Sequence, residues 1–445
     1  MPYDPPRALL PRELTRLVRL FLLANAIGAG VAVGIWLYAR EIDLLTSLRL
    51  QLASGLPRAL VLPVLGLLGG AAAGGLIAFE PAARGSGIVH VLLWLRGRAV
   101  PLGWRVAVVK LLASGLAIGS GMPVGPEGPA IQIGASVARE SADALHGGRH
   151  RQLAVAVGSG AGLAAVFHSP LGGIAYILEA MLGRSSLRTN AVAAFTTFMA
   201  LVWTRLLNDP AHGPLLLRNL MPIREVPSRV NELRLIDLPL LLGLGVAAAL
   251  LAYPYQRGLL SLKRRFETLA LPPWKLLPLL GLAMGALGVL LPPAFDNADR
   301  LSFAALAGMN GPVEALRVLL IQGLGTAVAV AADAPGGFLA PALVVGASLG
   351  TLVQELAGIT IHLAPATLLF AGGSAFLGAL TRTPLTAILL TFELSKDYAL
   401  LLPIGHCTLA AIAVADLLAK RTVVDAMLEN ALELPIPLRH PPEEA

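Results

Sequence analysis

The chain has 445 residues, of which 14% are charged and 56% hydrophobic, and its mean hydropathy is +0.73. An ordinary soluble domain carries about 25% charged residues, so this composition excludes a soluble cytosolic enzyme and a disordered chain. The net charge of +7 comes mostly from basic residues between apolar segments. That pattern is typical of cytoplasmic loops beside anionic lipid rather than of nucleic-acid binding.

Apolar segments recur along the chain and predict membrane helices. Many have only 10–16 residues, fewer than the roughly 20 that a spanning helix needs. We therefore expect half-helices that meet within the membrane, where irregular backbone is tolerated only if protein buries it or it lines an aqueous cavity. In chain order the segments cover residues 17–38, 59–79, 85–96, 105–120, 126–138, 152–168, 170–182, 188–207, 237–255, 274–293, 312–332, 338–355, 366–380, 384–395, 399–419 and 421–431.

These segments predict two membrane halves. Residues 17–207 form the first repeat and 237–432 the second, joined by a linker at 208–236 that is rich in proline and arginine. A cytoplasmic segment (1–16) precedes them and a short tail (433–445) follows. Four arginines within the first 20 residues favour a cytoplasmic N-terminus.

The two halves share sequence. Gly125–Ser136 matches Gly337–Ser348 at an offset of 212 residues, and Ser169–Glu179 matches Thr383–Glu393 at an offset of 214. Internal repeats with broken helices are typical of secondary transporters, whose site lies at the repeat interface near the midplane. The number of segments in each half leaves open whether the repeats are parallel or inverted.

Three glycine-containing motifs each precede an apolar segment, at 85–88 (GSGI), 125–129 (GPEGP) and 336–341 (GGFLAP). Each can therefore lie at a helix N-terminus, where unpaired N–H groups and a partial positive charge bind anions. Three such ends meeting in the membrane would replace the hydration shell of an anion, without a lysine or arginine that would hold it too tightly for fast passage. The alternative is that they are ordinary caps and packing points.

Glu127 lies within the second motif. A carboxylate at the start of a buried helix is costly in lipid and indicates function. The field that would hold an anion also favours this carboxylate, so it can occupy an anion site and leave on protonation. We interpret Glu127 as a gate that responds to pH and to competing anions; a plain N-terminal cap is the alternative.

Together, these motifs in this order resemble the three signatures of the CLC family of chloride channels and chloride/proton antiporters, in its bacterial-type form without cytoplasmic CBS domains. The Ser/Thr-Pro-Leu-(x)7-Glu stretches at 169–179 and 383–393 resemble the family as well, and the similarity covers roughly residues 15–430. The resemblance implies an all-α polytopic fold of two inverted repeats with broken, tilted helices. It also implies a homodimer with one anion pathway in each subunit.

The resemblance also implies roles for individual residues. Glu127 would be the gating glutamate, and the anion would be bound by Ser86, Gly128, Phe338 and Leu339, the last two through backbone N–H groups. The glycines and prolines that shape the motifs are Gly85, Gly87, Gly125, Pro129, Gly336, Gly337 and Pro341.

Three positions depart from the family pattern in ways that bear on mechanism. Ala180 stands where proton-coupled members often carry a second glutamate, and Val424 stands where many members place a tyrosine hydroxyl on the anion. Pro126, just before the gate, lacks the N–H that many members supply. These departures favour uncoupled or loosely coupled chloride passage, with stoichiometric chloride/proton exchange as the alternative. The retained Ser86 favours chloride over fluoride.

No enzyme motif competes with this interpretation. The sequence has one cysteine, Cys407, and shows neither a P-loop nor an HExxH pattern, so we expect a transporter, not an enzyme, with no metal and no cofactor. Expected partners are chloride, protons in the exchange alternative, the lipid bilayer and a second copy of the chain, but no nucleic acid. We expect a multi-pass protein of a bacterial inner membrane with both termini cytoplasmic. Lys110 and Arg317 are interpreted as snorkelling or vestibule-lining cations.

Overall fold

The computed structural model describes residues 11–146, 150–183, 186–208, 233–291, 306, 311–357 and 363–433. Within these ranges the chain is mostly helical, and an isolated antiparallel bridge of β type joins Gly125 to Gly337. Most of the predicted linker, most of the N-terminal segment and nearly all of the C-terminal tail lie outside the described residues. The domain boundaries stay a prediction.

The described residues form sixteen α-helices. Those of the first half are α1 (Pro11–Gly55), α2 (Arg58–Phe79), α3 (Ile88–Leu95), α4 (Trp104–Gly119), α5 (Glu127–His146), α6 (Arg151–Phe167), α7 (Pro170–Tyr176) and α8 (Leu187–Leu207). Those of the second half are α9 (Leu238–Leu269), α10 (Pro273–Gly288), α11 (Pro312–Ala331), α12 (Leu339–Ala357), α13 (Pro365–Thr381), α14 (Pro384–Ser395), α15 (Leu401–Leu418) and α16 (Val423–Glu433).

The predicted segments correspond to these helices, with two main differences. Helix α1 continues to Gly55 instead of ending near residue 38, because polar residues beyond that point are also packed inside, including Asp43 and Arg49, which are 7% and 1% exposed. Helix α9 likewise continues to Leu269. A pattern of apolar residues does not reveal that a helix continues through polar residues that are also buried.

The helices have the lengths and surfaces of a membrane protein. Seven described helices are long and apolar enough to cross a membrane, whereas α6, α7 with its π-helical continuation, α13 and α14 are shorter apolar helices. The predicted short helices are therefore confirmed. Large apolar side chains such as Leu44 and Leu417 are 70% and 87% exposed on the outer surface, as expected of residues that face lipid. The protein is a multi-pass integral membrane protein.

The internal repeat is visible in helix packing. In the first half α5 packs on α6, with the α-carbon of Gly134 against the carbonyl of Gly158. In the second half α12 packs on α13, with Gly346 against the carbonyl of Gly372. A Cβ on either Gly134 or Gly346 would collide with the opposite backbone, so small residues set these close helix crossings. The two pairs stand at the same offsets as the sequence repeat.

The halves meet through equivalent elements. Helix α2 packs along α10 and α7 packs on α14. Gly125 and Gly337 exchange two backbone hydrogen bonds of 2.8 and 2.6 Å in an antiparallel bridge. Because equivalent residues pair while their chains run in opposite directions, a pseudo-twofold axis passes between them. This arrangement agrees with the inverted repeats that the family resemblance implied.

Candidate anion site

The three glycine motifs come together at the contact between the halves. The Gly125–Gly337 bridge joins the second motif to the third. A Cβ on Gly128 would lie 2.5 Å from the carbonyl oxygen of Ser86 and 3.0 Å from Cα of Gly337, so the first motif lies against the other two. The motifs run into the first turns of α3, α5 and α12, so the prediction that each lies at a helix N-terminus is confirmed.

Glu127 is the first residue of α5 and is fully buried. The N–H of Leu339, the first residue of α12, donates to its Oε1 at 2.7 Å. Cβ atoms on Gly125 or Gly337 would collide with this carboxylate as it is placed here, and a Cβ on Gly337 would also lie 2.7 Å from the backbone nitrogen of Gly128. The carboxylate therefore lies between two helix N-termini, where their partial positive charges favour an anion.

The other residues of the second and third motifs shape these helix starts. Pro129 and Pro341 are each the third residue of their helix, within the first turn, where the missing N–H has no intrahelical partner to lose. Gly336 packs so closely on Val124 that a Cβ would collide with it. Phe338, the third residue of the third motif, is buried just before α12. Its role as an anion donor stays a prediction.

Ser86 lies in the turn that leads into α3. Gly85 and Gly87 flank it with φ angles of +64° and +87°, left-handed values that glycine adopts without strain. Because these two glycines are left-handed, α3 begins only at Ile88. The hydroxyl of Ser86 accepts a long hydrogen bond of 3.4 Å from the N–H of Ile88, which leaves the hydroxyl proton free to be donated to a ligand.

Three residues that the sequence did not assign to the site hold this turn in place. Lys110 is fully buried on α4, and its Nζ donates to the carbonyls of Ala83 (3.0 Å) and Gly85 (2.5 Å). The interpretation of Lys110 as a snorkelling or vestibule-lining cation is therefore wrong. Its ammonium group is hydrogen-bonded inside the protein to two carbonyls that have no partner within a helix.

The other two residues are Gln132 and Asp333. The side-chain amide of Gln132, buried on α5, donates to the carbonyl of Ala82 at 2.8 Å. The carbonyl of Asp333 accepts from the N–H of Gly85 at 2.9 Å. A polar residue in the middle of an apolar helix was the available signal for Lys110 and Gln132, but it does not identify the carbonyl that each one reaches.

Helix α16 places Val424 on the side of the site next to α3. The helix starts with a capping box, in which the N–H of Asp425 donates to Oγ1 of Thr422 and the N–H of Thr422 donates to the carboxylate of Asp425. Val424 is half-buried in the first turn. Val424, which the resemblance placed where many family members carry a tyrosine hydroxyl, thus offers only methyl groups.

Ala180 lies in a π-helical stretch, Ile177–Leu182, that continues α7. Its neighbour Glu179 accepts hydrogen bonds from the N–H groups of Leu385 and Thr386, both 2.8 Å, and from the Thr386 hydroxyl at 2.7 Å. Glu179 is therefore a cap on the N-terminus of α14. Three donors hold its carboxylate in place.

The second repeat makes the same cap in the opposite direction. Glu393 accepts from the N–H groups of Leu171 (3.1 Å) and Gly172 (3.0 Å) and from the hydroxyl of Ser169. Equivalent glutamates thus cap each other's helices across the pseudo-twofold axis. Both glutamates are therefore structural partners of helix ends.

Comparisons with known proteins agree with the fold and the motifs. The profile of a family described as voltage-gated chloride channel matches residues 45–416. The H(+)/Cl(-) exchange transporter ClcA of Salmonella paratyphi B is 30% identical over 363 residues, which are 80% of this chain and 75% of that protein.

Solved structures match over nearly the whole chain. A slow cyanobacterial Cl-/H+ antiporter has a TM-score of 0.78 and 27% identity, covering 94% of this chain and 99% of its own. A eukaryotic CLC transporter has the same TM-score at 21% identity, covering 94% of this chain and 74% of its own, and this likeness concerns the fold alone.

Proposed function

The chain belongs to the voltage-gated chloride channel (CLC) family, and we propose that it exchanges chloride for protons across the membrane, with Glu127 as the group that serves both ions. The observation that carries the proposal is the hydrogen bond from Leu339 N–H to the buried Glu127 carboxylate. A chloride ion and this carboxylate compete for one site between two helix N-termini. Protonation removes the charge of the carboxylate and so favours the chloride, which links the two ions.

The comparisons favour exchange over the uncoupled passage predicted from the sequence. The Salmonella relative is named as an exchange transporter and the cyanobacterial structure as an antiporter. Uncoupled passage stays the second candidate, because Ala180 offers no acid and Glu179 is engaged as a cap. Exchange then requires that protons reach Glu127 by a route without a carboxylate at position 180.

The test is chloride efflux from liposomes with the external pH recorded at the same time. Exchange predicts proton movement against its gradient in proportion to chloride flux. Glu127→Gln should keep chloride flux and abolish proton movement, because a neutral amide cannot carry the proton. Asp416→Asn is a matched control, since this acid is 73% exposed at the side chain and far from the motifs in sequence; it should change neither flux.

The outcomes separate the two candidates. Chloride flux without proton movement in the unmodified protein would favour uncoupled passage, and Ala180→Glu should then introduce or increase coupling if position 180 is what limits it. No chloride flux, beside a competent reconstitution control, would contradict the anion assignment itself.

The proposal extends to assembly and location. We propose a homodimer with one pathway in each subunit, in a bacterial inner membrane, with both termini cytoplasmic; the bacterial relative supports the location. Chemical cross-linking in lipid tests the dimer, because a species of twice the 46.2 kDa chain mass is expected. A flux comparison between chloride and fluoride tests the preference expected from Ser86.

A further inference from the structure

Asp333 connects three segments beside the Ser86 turn. It follows α11 in a left-handed conformation with φ of +56°. Its carbonyl accepts from Gly85 N–H at 2.9 Å. Its carboxylate accepts from Lys263 Nζ on α9 at 2.9 Å and lies 3.5 Å from the guanidinium of Arg84. The turn before α3, the loop before α12 and helix α9 thus meet at one side chain.

The charged side chains of this cluster differ in how far they are buried. The side chain of Lys263 is 11% exposed, that of Asp333 29% and that of Arg84 47%. Glu267 approaches Lys263 to only 3.5 Å and is 45% exposed. Asp333 is therefore the close and more buried counter-charge for Lys263, and it also lies within ion-pair distance of Arg84.

The cluster lies next to the proposed anion ligand. Gly85, which bonds to Asp333, is the chain neighbour of Ser86, and consecutive Cα atoms are about 3.8 Å apart. Lys110 contacts the same turn through the Ala83 and Gly85 carbonyls. Lys110 contacts this turn, Arg84 precedes it in the chain, and Lys263 is connected to it through Asp333. The potential at Ser86 therefore depends on how far Asp333 offsets these charges.

We propose that Asp333 determines the affinity of the Ser86 site for anions by offsetting the positive field of Lys263 and Arg84. The proposal rests on the proposed function, since it concerns the same anion. Without Asp333, uncompensated cations would raise anion occupancy and slow anion release, because fixed charges in a low-dielectric wall change the local ion concentration. Asp333 thus determines both how tightly the site binds an anion and how fast the anion leaves.

Charge substitutions of opposite sign test this. Asp333→Asn should tighten chloride binding about threefold to tenfold and lower the flux at saturating chloride. Lys263→Gln should weaken binding by a similar factor, and the double variant should return close to the unmodified protein. Affinity is measured by isothermal titration and flux in liposomes, and both effects should shrink at higher ionic strength, where charges are screened.

Glu267→Gln is the matched control, because it removes a charge from the more exposed and more distant partner of the same lysine. It should change affinity less than twofold. A purely structural role for Asp333 predicts a different pattern: both single variants would weaken binding and lower the Tm, and the double variant would not recover.

Several results would overturn the proposal. Asp333→Asn protein with native Tm and unchanged or weaker chloride binding would do so. If that variant does not fold, Lys263→Gln decides alone: unchanged or tighter binding in a folded protein contradicts the idea. Ser86→Ala separates this failure from that of the proposed function. If Ser86→Ala also leaves chloride affinity unchanged, the anion site itself is wrongly placed.

Discussion

Replacing Glu127 by glutamine isolates the competition between the carboxylate and an anion. The amide has nearly the shape of the protonated acid but carries no charge at any pH. In the structure the carboxylate accepts the Leu339 N–H at 2.7 Å and is fully buried. The two helix N-termini therefore stabilise the charged carboxylate more than they would a neutral amide.

The expected effect follows from this contact. A hydrogen bond to a charged acceptor contributes about 1.5–3 kcal/mol and one to a neutral acceptor about 0.5–1.5 kcal/mol. The field of a helix N-terminus adds about 0.3–1 kcal/mol for a negative charge. The amide thus competes with chloride for the site less well than the carboxylate does, by roughly 1.5 kcal/mol. Because 1.4 kcal/mol is a factor of ten, chloride should bind about tenfold more tightly to Glu127→Gln.

Isothermal titration with chloride at neutral and acidic pH measures this. The unmodified protein should bind chloride more tightly as the pH falls, because protonation removes the competing charge, while Glu127→Gln should bind tightly at both pH values. Glu127→Asp is the control: it keeps a titrating carboxylate but is shorter by about 1.5 Å, so pH dependence should persist. If Glu127→Gln showed the affinity and the pH dependence of the parent, Glu127 would not be the gate.

Three further substitutions test other parts of the site. Lys110→Met removes the buried donor to the Ser86 turn and should weaken chloride binding about fivefold, the equivalent of one lost hydrogen bond of about 1 kcal/mol; titration checks this, and unchanged affinity would contradict the bracing role. Glu393→Gln should destabilise the protein by about 1–2 kcal/mol, because its bonds to two backbone N–H groups lose their charge assistance. Thermal unfolding in detergent measures this, and a Tm equal to that of the unmodified protein would count against the cap. Gly337→Ala should abolish transport in folded protein, since its Cβ would meet the Glu127 carboxylate; normal flux in liposomes would refute the tight fit.

The features that were predicted correctly from the sequence are those determined by residues close together in the chain. Apolar segments predicted the helices, and the glycines and prolines marked where α3, α5 and α12 begin, because these residues restrict the backbone independently of the rest of the fold. The repeat offsets also predicted which helices are equivalent. The placement of Glu127 at a helix N-terminus followed from the same local signals.

What the sequence did not predict depends on which distant groups meet. The Ser86 turn leaves the Ala83 and Gly85 carbonyls without helical partners, and Lys110 supplies the donor from another helix. The left-handed conformation of Asp333 is equally invisible in a pattern of apolar residues. Such pairings follow from tertiary packing, so only the folded chain reveals that α4, α5 and α11 support the first motif.

The Gly125–Gly337 bridge also bears on ancestry. A contact between equivalent residues across a twofold axis has the self-complementary form of an isologous dimer interface. Two separate copies of one half, as they would exist before a gene fusion, could form the same bridge. Position 127 carries glutamate while its counterpart, position 339, carries leucine. Two otherwise equivalent helix starts thus differ by a single acidic group, which makes the two sides of the bridge unlike.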